Sequence, residues 1–461
     1  MPVESKHKLY KQKEGDWTMI DDLLQGESAI KASGETYCPK LSGQGANEYK
    51  EYIGRGAFYN AFARTVTGLT GAVMRKDPTV NVPDEINEMM KDVTLTGRTI
   101  TEFIKSVVHA MIAFAGLGIM VDYDETAKRP YMAFYGCRDV INWRYDKEGK
   151  LDLLVLKEID EKPVDEYTTQ ELEQIRVYRK DKGSVIVQLW QKTSREKSFK
   201  KVDEKPLSVL GRTIQEIPFV YIGEDIGGIN PGKPPLYDLA RLNVKHWQVT
   251  VDYYHGLHYC ALPTPWAAGW PKAAELYIGA KKAWVTENEN AKCGFLEFSG
   301  EGLGAVVTAI DKLEKQMAVM GSRLLEEQKM AVEAAQAIEL RQSGDLANLS
   351  SIVSTVESGM KKALVYFALW LNKAGAEAEV SINRDFISER LTPEQIIALL
   401  QTLQQGYISQ DTFLYNLQSG EILPPGRTIE EEKKLIAAEA PPPGRNGGGE
   451  APFNLGEAGQ A

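Results

Sequence analysis

Histidine and cysteine are scarce in this sequence, and no long apolar run interrupts it. Among 461 residues there are five histidines (His7, His109, His246, His255 and His258), so general-base catalysis by imidazole has few candidates. The four cysteines, Cys38, Cys137, Cys260 and Cys293, include no CxxC pair. Neither a disulfide framework nor a structural zinc site is therefore indicated, and the thiols are expected to be reduced and partly buried. The longest apolar stretch, Val107 to Val121, contains His109 and falls short of the roughly 20 residues a membrane helix needs. No membrane partner is expected. The opening segment MPVESKHKLYKQKEGDW is charged and has no apolar centre, unlike a secretory signal, so the chain is expected to stay inside the cell that makes it. An excess of positive charge is also lacking: 54 Lys and Arg stand against 64 Asp and Glu, a formal charge of −10. That balance argues against tight binding of nucleic acid, although DNA can slide past an acidic wall.

What is present is a large, mainly helical α+β chain, long enough for several structural units. Residues 1–45 are polar and turn-rich and are expected to form a loosely ordered arm. Three- and four-residue spacing of apolar residues predicts a helix over Ala46–Arg75, stopped at Lys76-Asp77-Pro78, and a second over Thr99–Phe114. A strand follows at Gly118–Val121. From Arg129 to Ile222 the pattern changes to short β-type runs (YMAFYG, VINWRY, LDLLVLKEI, IRVYRK, SVIVQLW, IPFVYIG) divided by Gly, Asp, Lys and Pro. Gly223 to Pro235 is a breaker-rich hinge. Leu239, Leu242, His246, Val249, Tyr253 and Leu257 then mark one face of a long helix, and prolines 263, 265 and 271 open an irregular, strand-containing stretch to Ser299.

The most regular helix predicted carries Leu303, Val306, Ile310, Leu313, Met317, Met320 and Leu324 in alternating threes and fours. At about 1.5 Å per residue, residues 302–328 would extend about 40 Å, and a single apolar stripe on such a rod needs a partner within the chain or from an identical neighbour. A further helix is predicted over Leu346–Leu371. After it comes a helical hairpin, with Thr392-Pro393-Glu394-Gln395 as a capping box and Ser409 as the second cap. The tail from Pro441 is low in complexity and reads as disordered.

The candidate catalytic and metal motifs each have a plain alternative. Gly227 to Gly232-Lys233 spells most of a phosphate-binding loop, but Pro234-Pro235 replaces the Ser or Thr that would ligate magnesium. His255-x-x-His258 with Cys260 has partial metal spacing among aromatic residues, without a fourth ligand nearby. Asp122 and Asp124 offer a carboxylate pair in what reads better as a solvated turn. Residues 392–419 suggest a helix-turn-helix, yet the second helix, SQDTFLYNLQS, has no Lys or Arg to meet phosphate. No catalytic residue, metal or cofactor is expected, and an assembly component is the class that remains.

Whole phrases sharpen that reading. Arg55-Gly56-Ala57-Phe58-Tyr59-Asn60, Arg75-Lys76-Asp77-Pro78, Gly116 to Tyr123, Arg129-Pro130-Tyr131, Ile141-Asn142-Trp143-Arg144, Pro234 to Gln248, Pro263-Thr264-Pro265 and Gln316 to Leu325 occur in this order. Together they resemble a portal-like family of phages and prophages, known mainly as a domain of unknown function, over about residues 46–420. Ala334-Ala335 departs from the family's usual Glu-Thr-Ala. The resemblance implies a tailed-bacteriophage portal protein, a head-to-tail connector in the virion that assembles in the host bacterial cytoplasm. It would form a ring, typically a dodecamer, at one capsid vertex and serve DNA packaging and ejection.

By order, the resemblance implies a wing over 46–235, a first stem helix over 236–260, a clip over 261–301 and a second stem helix over 302–328. A tunnel loop over 329–345, a long wing helix and return over 346–390 and a crown over 391–440 would follow. The two apolar stripes, with Leu239, Leu242, His246, Val249 and Tyr253 on the first stem helix, would pack stem subunits. Lys329, Glu333, Gln336, Glu339 and Arg341 would touch double-stranded DNA without reading sequence, or else form the polar face of a continuing helix. The implied partners are identical subunits, terminase, adaptor and tail proteins, and the major capsid and scaffolding proteins. An adaptor or other virion component is the alternative.

Overall fold

The computed structural model describes residues 2–192, 198–209, 212–224, 227–262, 264–270, 276–277, 283–296, 300–321, 335–373, 377–386, 391–420, 422–424 and 427–439, with backbone alone over 335–345. Two units are distinguished, residues 1–386 and 387–461.

The first unit begins with helices α1 (Lys8–Gln25) and α2 (Glu27–Ala32), where a loose arm was expected. Tyr10, Trp17, Ile20 and Leu23 on α1 and Ile30 on α2 are buried. The charged residues between them hide this narrow stripe in the sequence, and tertiary packing rather than composition makes the segment helical. The helix expected over 46–75 is also revised. It is two helices, α3 (Ala46–Arg55) and α4 (Ala61–Val73), separated where Gly56 backs onto the distant helix that carries Val251. A Cβ at Gly56 would lie 2.3 Å from the Val251 side chain and 3.2 Å from its Cα, so only glycine allows this approach. Asn60 restarts the helix, its side-chain oxygen accepting the Ala63 amide at 3.0 Å.

Beyond β1 (Thr79–Asn81) and the single turn α5 (Asp84–Asn87) runs α6 (Ile100–Phe114). Thr99 and Glu102 close it in a reciprocal capping box, with distances of 3.2 and 2.9 Å. Phe103, Ile104, Val107, Val108, Met111 and Ile112 are all buried, which gives an interior helix with apolar residues around most of its girth. Each such side chain is worth about 1.5–3 kcal/mol of burial.

The strand-rich stretch comprises β2 (Leu117–Asp124), β3 (Arg129–Gly136), β4 (Val140–Tyr145), β5 (Leu151–Pro163), β6 (Thr169–Asp181), β7 (Ser184–Gln191), β8 (Lys200–Pro206), β9 (Ser208–Val209), β10 (Arg212–Thr213) and β11 (Phe219–Ile222). They form an antiparallel sheet in the order β11-β2-β3, a five-stranded antiparallel meander β4-β5-β6-β7-β8 and the small pair β10-β9. The expected runs all lie on strands; β8, with its KKVDEKP sequence, gives no apolar alternation and went unread. After it come α7 (Tyr237–Ala261), β12 (Thr264–Ala268), β13 (Lys292–Leu296), α8 (Leu303–Gly321), α9 (Ala335–Trp370) and β14 (Glu379–Ser381), the last paired with β1. In the stretch expected to contain strands, residues 283–287 are not strand, and β12, which contains Pro265, pairs with β13.

The core of this unit lies where α6 packs between α4 and α9, and α9 covers β2, β3 and β11. Val353, Val356, Met360, Leu364 and Phe367 are the buried face of α9. Trp370 locks its end, donating its indole N–H to the Val121 carbonyl at 2.9 Å and stacking on Tyr123.

The second unit contains α10 (Pro393–Gln404), α11 (Gln410–Ser419) and α12 (Ile429–Glu439). Thr392 and Gln395 form the expected capping box, at 3.3 and 2.9 Å, and Ser409 accepts the Thr412 amide at 3.1 Å. Residues 440–461, including the expected disordered tail, lie outside the described residues.

Candidate assembly surface on the helix pair

Helices α7 and α8 run antiparallel in a fixed register. A Cβ on Gly256 would sit 3.0 Å from Leu303, His246 Nε2 lies 3.2 Å from the Glu314 carboxylate, and a Cβ on Gly321 would sit 3.1 Å from Leu239. The pairing advances evenly from one end to the other. At the last of these contacts the same Cβ would lie 2.4 Å from Thr65 on α4, so α8 is pressed against two helices at Gly321. The pair leads at its other end into the β12-β13 hairpin.

The stripe on α8 therefore finds its partner within the chain. Leu303, Val306, Ile310 and Leu313 are half-buried and Met317 is buried. Met320 does not belong to it, being 50% exposed, and Gly321 takes the inward position. The reason is period: a straight helix turns every 3.6 residues, and a strict alternation of threes and fours drifts off the contact face. Leu324 lies outside the described residues. On α7, Leu239 and His246 are buried, while Leu242, Val249 and Tyr253 are half-buried.

A second buried face of α7 was not read from the sequence. Ala240, Asn243, Val244, Trp247, Thr250 and Val251 are buried as well. Asn243 joins α7 to the start of α4: its side-chain oxygen accepts the Phe62 amide at 2.9 Å, and its amide donates to the Tyr59 carbonyl at 2.8 Å. Thr250 donates to the Ala57 carbonyl at 2.8 Å. A polar residue with this much buried hydrogen bonding gives no apolar signal, so periodicity misses it. The C-terminal half of α7 differs, with Tyr254, Leu257, Tyr259 and Leu262 exposed.

The flanks of the pair carry opposite charge. On one side a groove of about 930 Å³ is lined by Arg241, Lys245 and one carboxylate, Asp238, from α7, by Lys312 and Lys315 from α8, and by the apolar Val319 and Met320. The three lysines form no ion pair among the described residues. On the other side Val307, Asp311 and Glu314 follow one another along α8, all exposed.

The remaining motifs are occupied by ordinary structural contacts. Lys233 pairs with Asp238 at 3.3 Å and lies over the Tyr237 ring. His255 and His258 both face one guanidinium, Arg55, at 3.4 Å from Nη1 and Nη2. Burial, then the adjacent Arg55 and His258, hold His255 below its ordinary value. A cation already sits where a metal would need to go, and among the described residues no cluster of three or more His, Cys, Asp or Glu is suited to a metal. Asp124 caps its turn, accepting the Thr126 and Ala127 amides. Asp122 is pushed up by burial and accepts the Tyr123 amide at 2.8 Å.

Among the residues expected to touch DNA, Lys329 and Glu333 lie outside the described residues. Gln336, Glu339 and Arg341 fall on α9, so the described backbone over 335–345 is helix, the alternative given above for these residues, and not the loop. No described helix is long and apolar enough to cross a membrane.

Residues 235–371, from the start of α7 to the end of α9, match the family described as Domain of unknown function (DUF4055). No curated protein matches the chain. Among solved structures it is similar to a chain in the neck of an empty gene transfer agent (GTA) particle computed with C6 symmetry, at 12% identity, covering 84% of this chain and 95% of that one, with a TM-score of 0.39. It is also similar to a chain of the virion of the native GTA particle, at 11% identity, 87% and 100% coverage and a TM-score of 0.37. A third is in the neck of the native GTA particle computed with C12 symmetry, at 12% identity, 87% and 100% coverage and a TM-score of 0.37.

Proposed function

We propose that this chain is a portal-type subunit that assembles into a ring through which double-stranded DNA passes into and out of a tailed-bacteriophage capsid. The observation that carries the reading is the α7–hairpin–α8 element. One end is fixed to the core by Asn243, Thr250 and Gly321, while the other presents exposed Tyr254, Leu257, Tyr259 and Leu262. Exposed apolar residues along one element favour burial against other protein, and the phrases quoted above from Arg55 to Leu325 favour a portal-type ring as the setting.

In this reading α7 and α8 are the stem, and the β12-β13 hairpin belongs to the clip, where terminase and later adaptor and tail proteins dock. The strand-rich stretch and α9 form the wing, and the unit of α10 to α12 forms the crown inside a shell built with major capsid and scaffolding proteins. A ring of −10 subunits repels a passing duplex rather than adsorbing it, which keeps the channel free of tight contacts. No residue is assigned to catalysis; the energy for packaging comes from the terminase.

Electron microscopy of the purified protein, alone and with its scaffold, tests this. Closed rings with an open centre wide enough for duplex DNA are expected. A chain that stays a small monomer under every condition overturns the proposal.

A further inference from the structure

The two flanks of the helix pair suggest how copies meet. Along α8, Lys312, Gln316 and Met320 recur at four-residue steps on the groove side, whereas Val307, Asp311, Glu314 and Ala318 recur at three- and four-residue steps on the opposite side. Arg241 and Lys245 of α7 extend the basic side, and His246, which meets Glu314, lies toward the acidic side. In a chain whose net charge is −10, a groove that gathers four cations against one carboxylate, Asp238, which is itself paired with Lys233, is an exception, and its three lysines are unpaired among the described residues. Each flank also exposes apolar side chains, Val319 and Met320 on the basic side and Val307 on the acidic side.

We infer that a second copy of this chain seats its acidic flank, Asp311 and Glu314 with Val307, in the basic groove formed by Arg241, Lys245, Lys312 and Lys315. The inference rests on the ring reading and adds the direction of assembly. Like flanks repel, so two copies cannot pair through the same surface; basic must meet acidic. That contact is heterologous, and repetition of a heterologous contact closes into a ring when its rotation permits. Charge complementarity fixes the partner and the register, while the small apolar patches supply burial. A DNA duplex fits the cations but leaves Val319 and Met320 without a match.

Two variants separate the outcomes. Lys245→Glu with Lys312→Glu and Lys315→Glu makes both flanks acidic, and Asp311→Lys with Glu314→Lys makes both basic. All five positions are exposed, and circular dichroism melts should show that both variants fold. Assembly is read by mass photometry across protein concentration. Each variant alone should need roughly tenfold or more protein to assemble than the unaltered chain, from like-charge juxtaposition. Mixed in equal amounts, the two should recover assembly as alternating rings with even subunit numbers. Recovery on mixing supports the inference and requires that both variants be folded. If both variants assemble alone as the unaltered chain does, or if folded variants do not recover on mixing, the inference is overturned while the ring reading stands. If the groove variant instead loses only affinity for a duplex oligonucleotide, the groove serves DNA and the inference is also overturned. If the unaltered chain itself never closes into rings, the ring reading is overturned, and this interface with it.

Discussion

Glu158 on β5 grips Arg176 on β6 through two hydrogen bonds, Nε donating to Oε1 at 2.8 Å and Nη2 to Oε2 at 3.0 Å. Tyr135 of the neighbouring sheet donates its hydroxyl to the same carboxylate at 2.6 Å, and Gln174 donates at 2.5 Å. The pair thus ties β3 of one sheet to β5 and β6 of the other. Burial pushes the Glu158 carboxyl up, but Arg176, Tyr135 and Gln174 outweigh it and hold the group below its ordinary 4.5.

A carboxyl lowered in the folded state stabilises fully above its unfolded value, and this contribution is lost as pH falls below 4.5 toward the folded value. Arg176→Leu should destabilise the chain by about 3 kcal/mol at neutral pH, because it strands a buried carboxylate. Glu158→Gln should flatten the acid limb of the stability curve. Urea melts at neutral and acidic pH check both, and an unchanged acid limb in Glu158→Gln contradicts the assignment.

Asn243→Leu should cost about 2–4 kcal/mol. It leaves the buried Phe62 amide and Tyr59 carbonyl without the side-chain partners that join α4 to α7. Hydrogen exchange should show the loss as faster opening at the start of α4.

Gly56→Ala should destabilise by about 1–3 kcal/mol, since its methyl would overlap Val251. Adding Val251→Ala relieves the side-chain part of that overlap, so the double variant should melt higher than the sum of the two single effects requires. Thermal melts of all three variants form the cycle.

His255 predicts a second pH dependence. A histidine held below its ordinary 6.5 resists protonation in the folded state, so stability is complete above 6.5 and declines as pH falls from there toward the folded value. His255→Gln should lessen that decline in urea melts between neutral and mildly acidic pH, while His7 and His109, also held low by burial, keep the remainder. The groups facing His255 are Arg55, His258, Tyr52, Asp252 and Tyr259, and only Asp252 works against the shift.

Lys233→Ala should leave nucleotide hydrolysis at background, because that amine is paired with Asp238 and Pro234-Pro235 follow it. An ATPase activity that disappears in this variant would restore the phosphate-loop reading.

The sequence displayed the strands well where apolar residues alternate, as in VINWRY and SVIVQLW, and displayed helix starts where a capping residue is explicit, as at Thr99, Thr392 and Ser409. It concealed α1, whose inward residues are separated by charge, and β8, which is exposed along its length. The break at Gly56 was invisible because its cause is Val251, almost two hundred positions away in the chain. The stripe on α8 was legible as far as Met317, after which the 3.6-residue turn moves the contact to Gly321. The charged flanks were missed for another reason: they are composed of residues from two helices and exist only once α7 and α8 lie side by side.

Gly321 leaves no allowance for a side chain. A Cβ there would meet Thr65 at 2.4 Å and Leu239 at 3.1 Å, so a single added methyl group would press on α4 and α7 at once and loosen two helix contacts together.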